Sequence, residues 1–536
     1  MFQKVKPYKH QIEDFERFKD ASVIGLGGEM GTGKSGTLLM IAEHKYKKGD
    51  IDALLIVAPN DVHYKWAHED VPMWLQDVEH DCQCLWGRGG DKKLYRCSKD
   101  VFEIKSVNVD TFSTKKKWMQ VVDWAATRKI MIAIDEATCV KNPNSLRTQR
   151  LIYEFNDVVR RKSVVVTSRV KSVARAVLTG TPVTNSSMDL WSIMEFAKPN
   201  YFNRNWYAYQ QRYGMFRKHA VMTNAGKQKI VGIPISEEIW DAVKQMPDYE
   251  TCYNVFGVTV DTFQYIHSQD VYAGAQKHTD ELKRLIDPVW SFRLLDQCVS
   301  LPRKHKVVAK LHMTEELREV YDAMRFEMIA QYGEHTMTAA NKMAVYLRTQ
   351  QISAGFICDK YVNDCADVDV VDFTPQDPIK WVGNSSPKID MLKSDINEGQ
   401  RPVIIATRFT AEAARLFDEL EKDYSTCLIT GWKRVGSIPE FQKGKFDVMV
   451  ANIVSISHGH NLQNSNKILV HSNTPSLERR LQLEGRIRRA GQKRVQYYKD
   501  YVYYDSVDEK ILESQRQNKE LLDYIRGVKD IKGLVA

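Results

Sequence analysis

The residues best placed to do chemistry lie in two short stretches. Gly28-Glu29-Met30-Gly31-Thr32-Gly33-Lys34-Ser35 has the form G-x4-G-K-S, and Asp135-Glu136 follows the apolar run Ile130–Ile134. The first stretch suits a phosphate chain. Its glycines let the backbone curl so that successive N–H groups point inward, and a helix starting there adds partial positive charge. Gly28, Met30, Gly31, Thr32 and Gly33 would form the backbone cradle. Lys34 would reach the β- and γ-phosphates of a nucleotide, and the Ser35 hydroxyl would bind magnesium. The second stretch adds what such a cradle lacks. Asp135 would hold the metal with Ser35, and Glu136 would polarise the attacking water.

Both stretches must be carried by strands. Val23–Gly27 reads as a buried strand before the cradle, and Thr37–Ala42 as an apolar helix after it. Leu54–Ala58, Val101–Val109 and Val177–Leu178 are further strands, ending in Pro59-Asn60, Asp110-Thr111 and Thr179-Gly180-Thr181-Pro182; a helix with Trp66 and Trp74 follows the first of them. The repeat of strand, polar loop and helix predicts a doubly wound parallel sheet, with the working edge at its strand C-terminal ends. Thr179 and Thr181 would sense the γ-phosphate through their hydroxyls, or simply form a small-residue turn.

A second sheet is expected from Val403–Thr407, Thr426–Ile429, Asp447–Ala451 and Lys467–Val470, with helices from Ser386-Pro387-Lys388 and over Ala411–Leu420. Its loops carry Thr407, Arg408, Thr430 and Asn452. With Pro59, Asn60, Lys65 and Thr179 of the first sheet, these suit a sugar-phosphate chain gripped without sequence readout. Gln482, Arg486, Arg488 and Arg489 read as one helix, with Arg486 and Arg489 three apart on one face. Guanidinium forks onto phosphate oxygens, and an arginine finger is worth roughly 10³–10⁵ in rate in phosphoryl transfer. A solvated basic helix is the plainer reading; Gly491-Gln492 and the distant phosphate cradle favour the finger.

The chain has 536 residues, 43% apolar and 27% charged, which excludes a mostly disordered polymer. A formal charge of +9 suits an anionic partner through a local basic surface, not a polycation. No apolar run approaches a membrane span, and Met1–Pro7 lacks the apolar core of a signal peptide. Nine scattered cysteines read as free thiols; Cys82, Cys84 and Cys97 lack the fourth ligand and the spacing of a zinc site. The organisation expected is an α/β chain: a nucleotide-binding lobe over 1–200, a mainly helical insertion and linker over 201–300, a second helical protrusion and loop over 301–385, and a second lobe over 386–536. Leu301–Lys306 is a basic linker, with Arg303, Lys304 and Lys306 near phosphate or on a solvated face.

Taken in order, Gln11, Gly28–Ser35, Asp135–Thr138 and Leu178–Pro182 resemble the motifs of superfamily 2 helicases and translocases. Lys141-Asn142-Pro143, Thr179–Ser186 with Asp189–Ser192, Leu347–Gly355, and Gln482 with Gly485-Arg486 and Arg489–Gln492 are similar to those of its Swi/Snf-type branch, over about residues 8–511. The resemblance implies two RecA-like P-loop NTPase lobes, ATP with Mg2+, and duplex DNA as partner. It implies that Gln11 reads the adenine edge, that Gly459 and Asn461 of the fifth motif contribute to the nucleotide site, and that Arg486 and Arg489 meet the γ-phosphate. Thr138 stands where the family often has His, Arg488 where His is usual, and His458 and His460 where smaller or apolar residues are common.

The function expected is a DNA-dependent ATPase that translocates on duplex DNA and remodels protein–DNA complexes or branched DNA. A strand-separating DNA or RNA helicase of the same superfamily and a nucleotide-gated nucleic-acid-binding scaffold are the rivals. A monomeric motor, no membrane and a compact viral or bacterial origin are expected, with a cytoplasmic location (the host's, for a virus) and the nucleus as the other candidate.

Overall fold

The computed structural model describes residues 5–526, apart from 61, 87–89, 98–99, 153–171, 184–186, 214–216, 223–227, 234–277, 333–334, 339–341, 360–371, 384–385 and 457–460. The chain divides into two units, Met1–Cys298 with Leu521–Ala536, and Val299–Glu520.

In the first unit the strands are β1 (Val23–Leu26), β2 (Ala53–Ala58), β3 (His80–Leu85), β4 (Phe102–Asn108), β5 (Ile130–Asp135), β6 (Ala174–Leu178), β7 (Arg217–Met222), β8 (Gln228–Ile233) and β9 (Trp290–Ser291). Seven form one sheet in the order β3-β4-β2-β5-β6-β1-β9, parallel throughout. Side chains alternate between its faces. In β2, Leu54, Ile56 and Ala58 join a core with Leu38, Leu39 and Ile41 of the helix Lys34–Lys47. Ala53, Leu55 and Val57 join another with Trp118, Val121 and Trp124. Covering both faces is what a parallel sheet requires, because its crossover helices lie on each side.

Two features differ from expectation. Residues 201–300 are not all insertion: β9 pairs with β1, and Trp290 donates to Met194 Sδ at 3.0 Å. The described part of this region also contains an antiparallel hairpin, β7–β8, where helix was expected; most of the rest, 234–277, lies outside the described residues.

The second unit contains β10 (Lys304–Leu311), β11 (Ile329–Tyr332), β12 (His335–Thr338), β13 (Phe356–Cys358), β14 (Ile379–Trp381), β15 (Val403–Thr407), β16 (Thr426–Ile429), β17 (Arg434–Val435), β18 (Val448–Asn452), β19 (Lys467–Val470) and β20 (Gln496–Tyr503). Its sheet runs β10-β20-β19-β15-β18-β16-β17, parallel except where β17 meets β16. Thus 301–385 does not begin as a helical protrusion. Lys304–Leu311 is an edge strand of the second sheet, and its interspersed lysines guard an exposed edge. Lys306 pairs with Glu484 at 2.6 Å, which commits it within the unit. The helix Pro387–Glu398 starts with Pro at its first turn as expected, but Ser386 makes no side-chain cap.

One buried ion pair ties this unit together. Lys388 is fully buried, and its Nζ donates to Asp508 Oδ2 at 2.8 Å, Ser353 Oγ at 3.2 Å and His471 O at 3.3 Å. Removing one member strands the other without compensation. Lys388→Met is expected to lower stability by about 3–5 kcal/mol in chemical denaturation. Adding Asp508→Leu should recover most of that loss.

Candidate nucleotide site

The site is built on the C-terminal ends of β1, β5 and β6, neighbours in the first sheet. After β1 the chain turns through Gly31 and Gly33, at φ of 86° and 81°, and enters the helix Lys34–Lys47 with Gly33 as its N-cap. These left-handed values suit glycine and turn backbone N–H groups inward. The helix Lys9–Phe18 braces the loop. Gln11 Nε2 donates to Gly33 O at 2.8 Å, while its Oε1 accepts from Tyr8 N at 2.8 Å. His10 Nε2 lies 2.7 Å from Thr32 O. Asp14, on the same helix, accepts from Ser291 Oγ at 2.6 Å and Arg293 Nη2 at 2.7 Å. Arg293 O in turn accepts from Glu29 N at 2.9 Å. The edge strand β9 therefore holds both the bracing helix and the loop it braces.

Lys34 Nζ donates to Gly28 O at 2.7 Å and Glu29 O at 3.4 Å. Burial pushes its ammonium below the usual lysine range, and the Glu136 and Asp135 carboxylates oppose that shift. A desolvated ammonium facing backbone carbonyls is matched to a phosphate anion. At the end of β5, Asp135 Oδ2 accepts from Trp66 Nε1 at 2.8 Å and Oδ1 accepts from Glu136 N at 3.0 Å. Burial raises its pKa, and the neighbouring Glu136 charge adds to the rise. Glu136 sits at φ 50°, a conformation that costs a residue with a Cβ about 1–2 kcal/mol. Such strain at the end of a core strand points to a side chain aimed for use.

Asp70 completes the acidic side. Burial raises its pKa, Lys65 opposes this, the Asp135 charge adds to it, and a hydrogen bond from Ser35 lowers it. Hard oxygen donors from Ser35 and Asp135, with a second buried carboxyl close by, fit Mg2+. That ion typically takes one or two carboxylates and completes its shell with substrate phosphate and water. Thr179 is fully buried, and its Oγ1 accepts from Thr181 N at 3.1 Å. A Cβ placed on Gly180 would come 3.5 Å from Gly28 O, so the loop after β6 abuts the cradle.

The other expected residues fall into different settings. Lys65, expected at a nucleic-acid backbone, instead donates to both Asp70 oxygens at 2.7 and 2.8 Å. Pro59 O accepts from His63 N at 3.2 Å, and Asn60 Oδ1 accepts from Asn108 Nδ2. In the second unit Thr407, Arg408, Thr430 and Asn452 are buried. Thr430 Oγ1 donates to Lys433 O at 2.7 Å, and Asn452 Nδ2 to Arg408 O at 2.9 Å. These side chains support their own loops. Asn461 is exposed, with Oδ1 accepting from Gln463 N at 3.3 Å; Gly459 lies outside the described residues.

The arginine segment also departs from expectation. The helix is Leu477–Glu484 and stops at Gly485, so Arg486, Arg488 and Arg489 follow it in a turn. Arg486 is buried. Arg488 donates to Pro302 O at 3.0 Å. Arg489 Nε donates to Gly485 O at 3.0 Å, and burial lowers its pKa. All three belong to the second unit, and the cradle to the first. Three residues that motif spacing did not reveal also line the site: Trp66, Asp70 and Arg526. Each comes from a segment without a recognisable pattern and is found only through its contacts.

A model of the SNF2-related domain matches residues 19–355. The chain belongs to this family, whose members are ATP-hydrolysing, helicase-like enzymes. It is 23% identical over 534 residues, 97% of each chain, to putative protein p41 of Acyrthosiphon pisum secondary endosymbiont phage 1. It is 28% identical over 183 residues to the probable ATP-dependent DNA helicase CHR12 of Arabidopsis thaliana, which covers 33% of this chain and 14% of that one. The chromatin-remodeling ATPase INO80 of Eremothecium gossypii is 26% identical over 191 residues, 33% of this chain and 12% of the other. The chain thus spans only a small part of the eukaryotic relatives it matches. Among solved structures, the SWI2/SNF2 ATPase core of Sulfolobus solfataricus in complex with dsDNA aligns over 99% of both chains, at 17% identity and a TM-score of 0.38.

The cradle geometry makes a direct prediction. A Cβ at Gly33 would lie 2.5 Å from Gln11 Nε2, on a backbone at φ 81°. Gly33→Ala should weaken triphosphate binding by roughly tenfold, since a left-handed residue with a Cβ costs about 1–2 kcal/mol. Titration with a fluorescent ATP analogue measures this, with circular dichroism expected to match wild type.

Proposed function

We propose that this protein is a DNA-dependent ATPase that translocates on duplex DNA and remodels protein–DNA complexes or branched DNA. The observation that carries the reading is the gathering, within one unit, of the Gly28–Ser35 cradle, the Asp135-Glu136 carboxyls and the Thr179-Gly180 loop. Membership of the SNF2-related family supports the coupling of such a site to DNA.

In this reading Gln11 holds the adenine edge beside the cradle. Lys34 leaves its carbonyl partners for the β- and γ-phosphates. Ser35 and Asp135 would hold Mg2+, which supplies charge neutralisation on the phosphate oxygens when bound. Trp66 fixes the Asp135 carboxyl through its indole N–H. Glu136 orients the attacking water and draws on its proton. Arg486 and Arg489 neutralise the charge that develops on the γ-phosphate. DNA is gripped by its backbone, so binding is sequence-tolerant and falls with salt.

Two experiments test this. Lys34→Ala should weaken triphosphate binding, whereas Glu136→Gln should bind ATP with wild-type affinity and lose turnover; wild-type turnover in Glu136→Gln would remove Glu136 from its role. Duplex DNA should stimulate the ATPase and support triplex displacement, with Arg489→Ala losing stimulated turnover while keeping DNA affinity. Efficient unwinding of a plain fork would favour a strand-separating helicase, and unstimulated ATPase activity would favour a nucleotide-gated scaffold.

A further inference from the structure

The chain returns to the first unit at Leu521, and Arg526 is where it reaches the phosphate cradle. The Arg526 side chain is 2% exposed. Nη1 lies 3.0 Å from Glu29 Oε1, and Nη2 donates to Gly180 O. Glu29 is the second residue of the G-x4-G-K-S loop, and its other oxygen accepts from Leu295 N at 3.0 Å. Arg526 N donates to the carbonyl of the buried Leu522 at 3.0 Å. One guanidinium therefore bridges the cradle and the loop after β6, the two backbone elements expected beside a terminal phosphate.

Three observations set this residue apart from a simple anchor. Its Nε is buried and has no hydrogen-bond partner, leaving a donor in reserve. Its charge stands near enough to Lys34 to push that ammonium down, and burial disfavours its own charged form. Its partners are one carboxylate and one carbonyl, which a planar guanidinium can exchange for two phosphate oxygens. Two desolvated cations at one cradle are best compensated by the most highly charged anion that fits.

We propose that Arg526 is a further ligand of the nucleotide site, one that favours triphosphate over diphosphate by moving its guanidinium from Glu29 to the terminal phosphate. The inference rests on the reading of Gly28–Ser35 as the nucleotide cradle. It adds a determinant of specificity from a part of the chain far removed from every motif.

The test is titration of the full chain with a non-hydrolysable fluorescent ATP analogue and with the matching ADP analogue. Arg526→Ala should lose about tenfold or more in triphosphate affinity, the scale of a charge-assisted hydrogen bond, and keep its diphosphate affinity. Arg526→Lys, which keeps the charge without the fork, should fall between. Glu29→Gln frees the guanidinium and should raise the triphosphate preference, and adding Arg526→Ala should cancel that rise. An equal loss for both nucleotides, or no loss, in a folded Arg526→Ala would overturn the proposal. If that variant does not fold, Glu29→Gln decides, and an unchanged or lower preference overturns it. Lys34→Ala separates the two levels. Undisturbed binding there would sink the cradle reading and this inference together. Loss of both nucleotides there, beside an unmoved preference in Arg526→Ala, would sink this inference alone.

Discussion

The first unit depends on keeping charge out of water at one point. Asp135 and Asp70 are buried and Lys34 half-buried at the C-terminal edge of a parallel sheet, and burial is the largest influence on the pKa of each. Such groups are costly unless each is answered by a fixed partner. Here the answers are backbone carbonyls for Lys34, an indole N–H for Asp135, and Lys65 with the Ser35 hydroxyl for Asp70. Asp135 is therefore preorganised, fixed by the indole and the Glu136 N–H before any phosphate arrives, whereas Lys34 in the proposed reading exchanges its carbonyl partners for phosphate.

The surrounding structure supplies that rigidity. β1 lies between β6 and the short edge strand β9. Through Asp14, Ser291 and Arg293 this edge is tied to the helix that carries Gln11, and Gln11 holds Gly33. An unbroken run of short bonds thus joins the sheet edge to the last residue of the cradle. The second unit uses the same device differently. There the buried Lys388–Asp508 pair joins two helices, and the Arg480–Asp500 pair, with Nη2 at 2.8 Å from Oδ2, ties a helix to β20.

Much of this was legible in the sequence, for physical reasons. β2, β5, β15 and β18 are buried at every position, so each reads as a continuous apolar run. The cradle was legible because its backbone conformation demands glycine at Gly31 and Gly33. β9, β10 and β20 were not. β9 has only two residues, and β10 and β20 are edge or near-edge strands in which Lys, His, Tyr and Asp interrupt the apolar pattern. The helix expected to carry Arg486 and Arg489 ends at Glu484 because Gly485 closes it, so three-residue spacing did not place them on one helical face. Trp66, Asp70 and Arg526 act through contacts between distant segments, which local spacing does not encode. Thr407, Arg408, Thr430 and Asn452 stand at strand ends as expected and are buried there, and the Thr407, Thr430 and Asn452 side chains bond loop backbone.

The discontinuity of the first unit has a consequence for biogenesis. Its sheet and cradle are made from residues before 299, yet its second segment begins at Leu521. On the ribosome, the whole second unit must emerge before that piece exists. Domains generally fold as units in order of synthesis, so the nascent first unit waits with Glu29 and the Gly180 carbonyl lacking the guanidinium they hold in the finished protein. The phosphate pocket is thereby completed only after residues 299–520 have been made, and a chain cut before Leu521 would carry the sheet without the guanidinium at its pocket.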